Sequence, residues 1–477
     1  MNPEKRELSV LEKYPSVERG PIDAELEAVL KAWGQKIVVL DDDPTGVQTV
    51  HGVSVYTDWS VESISKGFDE TNQIFFILTN SRGFTVEETQ KAHIEIAQNV
   101  QNVSVQKNMD YILISRSDST LRGHYPLETI TLKNTLEAET GKIFDGEVII
   151  PFFKEGGRFT IDNIHYVKEG DQLTPAGQTE FAKDKTFGYS ASHLGAYCEE
   201  KTNGAYKAED AVYISLDSIR KLEISKITDQ LMSVTQFNKV IVNAIDYIDV
   251  KIFSIALVGA MMKGKKFMFR SAAALTKVLG AVTDKALLTK EDLVDAENKN
   301  GGIILVGSHV NKTTQQLEAL MKTDFPIEFI EFHVASALTP GGLEAETQKI
   351  QAMVDEKISQ GKTVAVYTSR EKISLETTDK DEILKVSVAI SDAVTSLIGN
   401  LKPSPKFIVA KGGITSSDVG TKALRVKKAL VMGQIKPGIP VWMTGEESKF
   451  PHMPYVIFPG NVGEVTSLRE IVETLMA

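Results

Sequence analysis

Cysteine is almost absent from this chain of 477 residues, which contains only Cys198. A single thiol excludes an intrachain disulfide and a thiolate metal cluster, because both need more than one cysteine. The eight histidines do not show metal-ligand spacing either. The sequence therefore predicts neither an intrachain disulfide nor a thiolate metal cluster.

Long hydrophobic runs are also missing. The longest apolar run, Ile252–Met262, is shorter than the roughly 18 residues that a bilayer-spanning helix needs. The amino-terminal residues are charged and lack the apolar segment of a signal peptide. We therefore expect no membrane partner and a cytoplasmic location.

Basic residues are fewer than acidic ones: the chain has 53 Lys and Arg against 64 Asp and Glu, and its net charge is −11. This sign disfavours a surface that binds a phosphate backbone, so nucleic acid is not an expected partner. With 42% apolar and 25% charged residues, the composition is that of an ordinary globular protein. We expect disorder only in short stretches.

The chain is longer than the roughly 250–300 residues at which one hydrophobic core stops growing, so we expect two domains. Short apolar runs alternate with amphipathic stretches, which is the pattern of βαβ units. The sequence thus predicts an α/β fold with two domains, each a largely parallel Rossmann-like sheet flanked by helices. The predicted boundaries are an N-terminal helical extension at 1–34, a first domain at 35–282, a linker at 283–302 and a second domain at 303–477.

Apolar runs predict the strands, and a capping box predicts the start of one helix. Thr85 and Glu88 can satisfy each other's free backbone donors, which indicates a helix that begins there and continues to about Gln98. The predicted strands are Lys36–Leu40, Ile74–Thr79, Tyr111–Ser115, Glu147–Pro151, Ala211–Leu216, Lys239–Asn243, Ile303–Val306, Ile327–Phe332, Thr363–Tyr367, Lys406–Ala410 and Tyr455–Phe458.

The first candidate site is the acidic turn Asp41-Asp42-Asp43-Pro44-Thr45-Gly46, which directly follows a predicted strand. In open α/β sheets, ligands bind beyond the carboxyl ends of the strands. Adjacent carboxylates repel each other, so this turn could hold Mg²⁺ or keep one carboxylate basic enough to accept a hydroxyl proton. The alternative is a surface Asx turn, and the turn alone favours neither interpretation.

Two further loops of the first half follow predicted strands and carry arginines. Arg82 could bind a substrate carboxylate through paired hydrogen bonds, although a lone arginine more often has a surface or ion-pair role. The loop Ser115–His124 is rich in hydroxyl and guanidinium groups before a helix, which suits a polyhydroxylated anion; an elaborate helix cap is the alternative. For His124 a structural or donor role is favoured over acid–base chemistry.

The second half contains glycine-bearing loops that follow predicted strands: Gly307-Ser308, Gly412-Gly413-Ile414-Thr415 and Gly460-Asn461-Val462-Gly463. Glycines let backbone N–H groups approach a phosphate closely. One such glycine is commonly only a turn, but the combination indicates nucleotide binding. The segment Gly259–Lys266 nearly matches a phosphate loop, but it precedes a strand and ends in Lys instead of Ser or Thr, so it is not a Walker A motif. No dinucleotide fingerprint follows a strand.

Together these loops resemble the four-carbon acid sugar kinase family, in which a sugar-binding N-terminal domain precedes a nucleotide-binding C-terminal domain. The most specific segment is Asp118-Ser119-Thr120-Leu121-Arg122-Gly123. The chain departs from the family pattern at Val47-Gln48, Ile414 and Phe458, which indicates a divergent branch. The other matching segments are Asp42-Asp43-Pro44-Thr45-Gly46, Ser81-Arg82, Gly157-Arg158, Gly307-Ser308, Gly412-Gly413-Ile414-Thr415-Ser416 and Gly460-Asn461-Val462-Gly463.

The resemblance implies an ATP-dependent kinase that phosphorylates a hydroxyl group of a small sugar acid, such as threonate, erythronate or a 3-oxo-tetronate. It implies that Asp42, Asp43, Arg82 and Asp118–Arg122 hold the acid. In the expected catalytic roles, one carboxylate of Asp42 or Asp43 orients or deprotonates the hydroxyl group and the other helps to position metal-bound water. Mg²⁺ would accompany ATP, and its protein ligands are not assigned. The residues implied for ATP are Ser308, Gly412, Gly413, Ile414, Thr415, Gly460, Asn461, Val462 and Gly463.

The expected mechanism is in-line phosphoryl transfer in an interdomain cleft, with Arg82 and Arg122 holding the carboxylate of the acid. One alternative is a sugar-acid dehydrogenase or aldolase-type enzyme, which would work without ATP. Another is a sugar-acid and nucleotide sensor that has lost turnover. A homodimer is compatible with each of them.

Overall fold

The computed structural model of the protein describes residues 3–308, 310–370, 380–460 and 462–477. The chain divides into two compact units, Met1–Asp284 (the first unit) and Lys285–Ala477 (the second unit). Each unit contains a largely parallel set of strands and its own hydrophobic core. The predicted two-domain α/β fold is therefore confirmed.

The first unit contains a parallel sheet and a smaller antiparallel sheet. Its strands are β1 (Arg6–Glu7), β2 (Lys36–Asp41), β3 (Ser54–Tyr56), β4 (Ile74–Leu78), β5 (Tyr111–Arg116), β6 (Gly146–Ile150), β7 (Arg158–Ile161), β8 (Ile164–Glu169), β9 (Gln172–Pro175), β10 (Val212–Ile214), β11 (Asn238–Val242) and β12 (Phe267–Ser271). The parallel sheet has the order β10-β11-β6-β12-β5-β2-β4-β3, and the antiparallel sheet has the order β1-β9-β8-β7.

Helices cover the parallel sheet, so its strands are contiguous apolar runs rather than alternating ones. Every residue of β2 and β4 is buried. The α-helices of this unit are α1 (Arg19–Trp33), α2 (Val61–Asp69), α3 (Val86–Lys107), α4 (Leu127–Thr140), α5 (Leu194–Lys201), α6 (Leu216–Arg220), α7 (Ile224–Ser233), α8 (Tyr247–Met262) and α9 (Ala273–Leu279).

Helix α3 begins at the predicted capping box. The Glu88 N–H donates to Thr85 Oγ1 over 3.2 Å, and the Thr85 N–H donates to the Glu88 carboxylate over 2.8 Å. The helix continues to Lys107 instead of ending near Gln98, because buried positions recur as far as Ser104.

The second unit places a parallel set of strands beside an antiparallel hairpin. The strand order is β17-β18-β19-β16-β13-β15-β14, in which β19 to β14 run parallel and β17 to β19 antiparallel. These strands are β13 (Ile303–Val306), β14 (Ile327–Phe332), β15 (Thr363–Thr368), β16 (Ile408–Lys411), β17 (Lys428–Lys436), β18 (Ile439–Thr444) and β19 (Pro454–Phe458). The α-helices are α10 (Lys290–Leu293), α11 (Asn311–Leu320), α12 (Gly342–Ser359), α13 (Lys380–Gly399), α14 (Gly413–Asp418) and α15 (Ser467–Met476).

The ends of the predicted domains differ from the observed units. Residues 1–34 do not stand apart, because α1 packs against α8 and β1 pairs with β9. Most of the predicted linker, 283–302, belongs to the second unit, since Leu288 and Leu293 lie in its hydrophobic core. These leucines are isolated among charged residues, so the apolar pattern of the sequence did not reveal them. Within the described part of the chain, no helix is long and apolar enough to cross a membrane.

Candidate functional site

The polar loops of the first unit meet because β4, β2, β5 and β12 are neighbours that run in the same direction. Their carboxyl ends therefore lie at one edge of the sheet, where α/β proteins bind ligands. Asp41 is the last residue of β2, one position beyond the predicted end of this strand at Leu40, and Arg116 is the last residue of β5.

Arg82 joins the loop after β4 to the acidic turn after β2. Its Nη2 lies 2.7 Å from Asp42 Oδ1 and its Nε lies 3.2 Å from Asp42 Oδ2, which is a bidentate pair. Its Nη1 lies 2.5 Å from Asp43 Oδ2. The guanidinium group is thus engaged by two carboxylates of the protein itself.

Arg116 is the second cation of the acidic turn, and the sequence interpretation gave it no role. Its Nη1 lies 3.0 Å from Asp41 Oδ1, 3.6 Å from Asp42 Oδ1 and 3.7 Å from Asp43 Oδ1. Buried carboxylates at such close spacing need cations beside them, and two arginines supply the charge.

Asp41, Asp42 and Asp43 have different pKa values because burial and the nearby arginines affect each of them differently. Burial raises the pKa of Asp41 to about 8, although Arg116 opposes this shift. Burial also raises the pKa of Asp42 to about 6 against the opposing effect of Arg82. For Asp43 the nearby guanidinium groups outweigh burial and hold its pKa below the usual value. Near neutral pH the turn therefore carries an ionised Asp43 beside a protonated Asp41.

The Asx-turn interpretation of the acidic turn is correct in part. Asp43 Oδ1 accepts a hydrogen bond from the Thr45 N–H over 2.8 Å, which is an Asx turn. However, the turn is not at the surface, because Asp41 and Asp42 are each only 2% exposed. The Asp43 side chain is 13% exposed and is the most accessible of the three.

Oxygen atoms of Asp41, Asp42 and Asp43 lie within 4.8 Å of one another, which is the spacing of a possible cation site. Mg²⁺ prefers octahedral oxygen ligands and keeps several waters. Here the guanidinium groups of Arg82 and Arg116 already contact the same oxygens. A resident cation at this position would face two positive charges, and the cluster does not fit one.

The loop after β5 is held in place by hydrogen bonds that tyrosine side chains donate to its backbone carbonyl groups. The Tyr189 hydroxyl donates to the Thr120 carbonyl over 2.6 Å, and the Tyr197 hydroxyl donates to the Leu121 carbonyl over 2.9 Å. Leu121 has a left-handed φ of 69°, and its side chain lies in the hydrophobic core beside both tyrosines. Any contact of Leu121 with a ligand would therefore involve its backbone.

His165 holds the same loop through the Ser119 carbonyl, which lies 2.8 Å from Nε2. Burial lowers the pKa of His165 to about 4, so the ring is neutral. With Nε2 donating to Ser119, Nδ1 accepts from the Thr160 hydroxyl at 3.0 Å. His124 contacts a backbone carbonyl, that of Phe84, at 3.0 Å, which fits a donor role.

Arg122 forms a short ion pair, in which its Nε lies 2.7 Å from Asp118 Oδ2. This arginine holds the pKa of Asp118 far below its usual value. The carbonyl of Arg122 in turn accepts a hydrogen bond from Arg270 Nη2 over 2.8 Å. Arg270 was missed by the sequence interpretation, although an arginine within the apolar strand Phe267–Ser271 is an unusual feature that could have indicated it.

Arg158, the first residue of β7, differs from the other arginines of the site. Its residue exposure is 7%, and its guanidinium group donates to the Gly156 carbonyl. Arg122 and Arg158 lie over the same ring, with their Cζ atoms 5.1 and 5.8 Å from the centroid of Phe181. Among the described residues, no carboxylate lies within ion-pair distance of Arg158, and its Nε has no hydrogen-bond partner.

In the second unit, the glycine loops after β13 and β16 are in direct contact. A β-carbon at Gly307 would lie 2.3 Å from Thr415 Oγ1, and one at Gly412 would lie 3.1 Å from Ser308 Cβ. Gly412 has a φ of 124°, which side chains rarely adopt. These predicted residues are thus brought together by close backbone packing.

The loop after β19 adjoins the same place, because the Gly412 N–H donates to the Phe458 carbonyl over 2.9 Å. Val462 is 8% exposed and lies in the hydrophobic core, whereas Ile414 is 73% exposed. Gly413, Gly460 and Gly463 lie in the same loops, and the predicted Asn461 lies outside the described residues.

Comparison with known proteins agrees with the division of the chain into two units. Residues 37–279 match the family model of a sugar-binding N-terminal domain, and residues 303–468 match that of a nucleotide-binding C-terminal domain. No curated protein matches the chain.

Two solved structures are similar across nearly the whole chain. A Salmonella typhimurium LT2 protein, described as a candidate tRNA synthase, has 15% sequence identity and a TM-score of 0.62, over 92% of this chain and 98% of that one. A Haemophilus influenzae protein from a domain-of-unknown-function family has 15% identity and a TM-score of 0.59, over 92% of this chain and 100% of that one. At such identity the likeness shows the fold alone. The two family models together show that the chain belongs to the four-carbon acid sugar kinase family.

Proposed function

We propose that the protein transfers the γ-phosphate of ATP to a hydroxyl group of a small sugar acid of the tetronate class. The observation that carries this proposal is a shortage of hydrogen-bond acceptors at the carboxyl edge of the first sheet. Arg116 Nε, Arg158 Nε and Arg270 Nη1 are buried nitrogens without a hydrogen-bond partner among the described residues, and Arg270 Nη1 has the Glu128 carboxylate only at 4.0 Å. Buried donors are normally paired, so a ligand rich in oxygen atoms is the natural partner.

Arg158 is the proposed receptor for the carboxylate of the sugar acid. Arg82 and Arg122 were expected in this role, but each already contacts an aspartate of the chain. Binding of a carboxylate would neutralise the buried charge of Arg158, on which Asp118 acts only from beyond ion-pair distance. Arg82 and Arg122 would then act by orienting Asp42, Asp43 and Asp118.

Asp43 is the proposed contact for the hydroxyl group that receives phosphate. It is more accessible than Asp42, and it is ionised at neutral pH because arginines lower its pKa. An ionised carboxylate can accept the hydrogen bond of the hydroxyl group and align it for in-line attack. Asp42 would hold Arg82, and through it Asp43, in place.

The loops around Gly307, Gly412 and Gly460 are proposed to bind ATP. Mg²⁺ would be bound mainly by the phosphate groups and would neutralise charge that develops on them. Ser308 and Thr415 are hydroxyl donors within these loops. The earlier expectation that acid and nucleotide meet in an interdomain cleft stays a prediction.

An ADP-release assay with aldonates of four to six carbons and their oxo forms tests the proposal. We expect ADP release with at least one tetronate, and a loss of roughly 100-fold or more in kcat for Asp43→Asn. Asp217→Asn, a surface substitution, is the matched control. ADP release with none of the acids would refute the substrate class, and ligand-dependent thermal shifts without ADP release would favour a sensor.

A further inference from the structure

Lys411 is a buried cation at the carboxyl end of β16, and it immediately precedes the close-packed Gly412. The residue is 0% exposed. In the sheet it lies between Val306 of β13 and Phe458 of β19, which are its register partners. It therefore lies at the junction of the glycine loops that follow these three strands.

The contacts of Lys411 are unusual for a buried ammonium group. Its Nζ donates to the carbonyl of Pro459 over 2.5 Å, lies 3.4 Å from that of Gly460, and lies 4.0 Å from the ring centroid of Phe458. Among the described residues, no carboxylate lies within ion-pair distance of it. By contrast, the buried Lys239 of the first unit lies 2.6 Å from the Glu147 carboxylate.

A buried charge without an ionic partner is costly unless a ligand supplies the opposite charge. We infer that Lys411 binds the phosphate groups of a nucleotide held by the adjacent glycine loops, exchanging its contacts with backbone carbonyl groups for contacts with phosphate oxygens. This inference rests on the nucleotide site of the proposed function and assigns a residue to it that the sequence motifs do not contain.

The surroundings of Lys411 favour an anion. Arg370, which follows β15, donates from Nη1 to the Ser308 carbonyl over 2.7 Å and from Nε to the Thr368 carbonyl over 2.9 Å. The charged group that acts on Lys411 is Lys312 of α11, which is exposed and also positive. Lys411 and Arg370 thus contact neutral carbonyl and hydroxyl oxygens and have no carboxylate within ion-pair distance among the described residues, which suits a polyphosphate.

The same surroundings link phosphate binding to proton uptake. Burial, assisted by Lys312, lowers the pKa of Lys411 to about 7. Above this pH much of the free protein carries a neutral Lys411, whereas phosphate contacts favour the ammonium form. Nucleotide binding at about pH 8 should therefore take up a proton from solvent.

Calorimetric titration of the full-length protein with ADP at about pH 8, in Tris and in HEPES, tests this inference. We expect net proton uptake approaching one proton per ADP in the wild type. Lys411→Met should lose this uptake and bind ADP about tenfold to hundredfold more weakly. Lys411→Arg should keep most of the affinity without proton uptake, since arginine stays charged. Lys322→Met, at an exposed lysine after α11, is the control.

Different results of these titrations would overturn different parts of the inference. Wild-type ADP affinity in a folded Lys411→Met protein would overturn the role of Lys411, and ADP binding to the wild type without proton uptake would overturn the link to proton uptake. Thermal unfolding of each variant identifies a purely structural effect. If Lys411→Met does not fold, Lys411→Gln takes its place, and wild-type ADP affinity in that variant would equally overturn the role of Lys411. A wild type that binds no ADP would overturn the proposed nucleotide site together with this inference.

Discussion

The backbone of Gly46 passes so close to Asp41 that a β-carbon at position 46 would lie 1.7 Å from Oδ2 of this carboxylate. The turn can close over the end of β2 only because residue 46 has no side chain. The closure explains how Asp41 stays buried although it ends a strand at the polar edge of the sheet. The glycine thus maintains the arrangement of the whole acidic turn.

Gly46→Ala should therefore disrupt the acidic turn. We expect a loss of roughly 1–3 kcal/mol in the free energy of unfolding, because the carboxylate and the turn have to move apart. Binding of threonate, followed as a ligand-dependent thermal shift, should be lost as well. Gly83→Ala is the control, because nothing lies within 4 Å of a β-carbon there. A wild-type thermal shift with threonate in Gly46→Ala would contradict this prediction.

Arg82 and Arg158 should respond differently to replacement by methionine. Arg82→Met leaves Asp42 buried without its bidentate partner, so we expect a loss of about 3–5 kcal/mol in the free energy of unfolding. Arg158→Met removes a guanidinium group that has no carboxylate within ion-pair distance among the described residues, so stability should change by less than about 1 kcal/mol.

The second measurement is ligand binding to Arg158→Met. Its affinity for threonate should fall roughly tenfold or more, because the loss of a charged hydrogen bond weakens binding. Its response to the neutral polyol erythritol should not change. If threonate binds to Arg158→Met as to the wild type, the carboxylate receptor lies elsewhere in the site.

Much of the fold could be predicted because buried parallel strands consist of contiguous apolar residues, which are visible in the sequence. The predicted bounds of Ile303–Val306 and Ile327–Phe332 agree with those observed. The antiparallel strands β7 to β9 were not predicted, because they are short and rich in polar residues. Their pairing depends on contacts within this sheet rather than on a strong local pattern.

The loops of the candidate site could be picked out from the sequence, but the contacts between their charged side chains could not. Proximity to strand ends identified the loops that contain Asp43 and Arg82. Which cation contacts which carboxylate depends on residues far apart in the chain: Arg116 is 75 positions from the Asp41 that it contacts. Arg158 reaches the site on the antiparallel sheet, so no strand-end rule could have indicated its position.

Asp41→Asn should change the pH dependence of stability. Burial raises the pKa of Asp41 to about 8 from an ordinary value of 3.8. Between these values the folded protein holds a proton that the unfolded chain has released, so this group makes folding less favourable as the pH rises. Asparagine is neutral at every pH, and the stability of the variant relative to the wild type should increase from about pH 5 to about pH 8.

Urea denaturation across this pH range measures the difference. Asp217→Asn, whose side chain is 72% exposed, is the control for removing a carboxylate from the protein. A difference between Asp41→Asn and the wild type that is constant with pH would show that Asp41 does not hold a proton in the folded state.

Gly412→Ala should impair the second unit at its glycine loops. The φ of 124° at this residue is strained for alanine, at a cost of about 1–3 kcal/mol, and the new β-carbon would lie 3.1 Å from Ser308 Cβ. Relief of this crowding would move Ser308 or the loop that follows Lys411, so we expect ADP affinity to fall at least about tenfold. Gly399→Ala is the matched control, since its β-carbon would meet the nearest atom, Ala423 Cα, at an ordinary 3.6 Å. Calorimetric titration with ADP distinguishes the two variants, and equal affinities would mean that the close packing at Gly412 does not shape the nucleotide site.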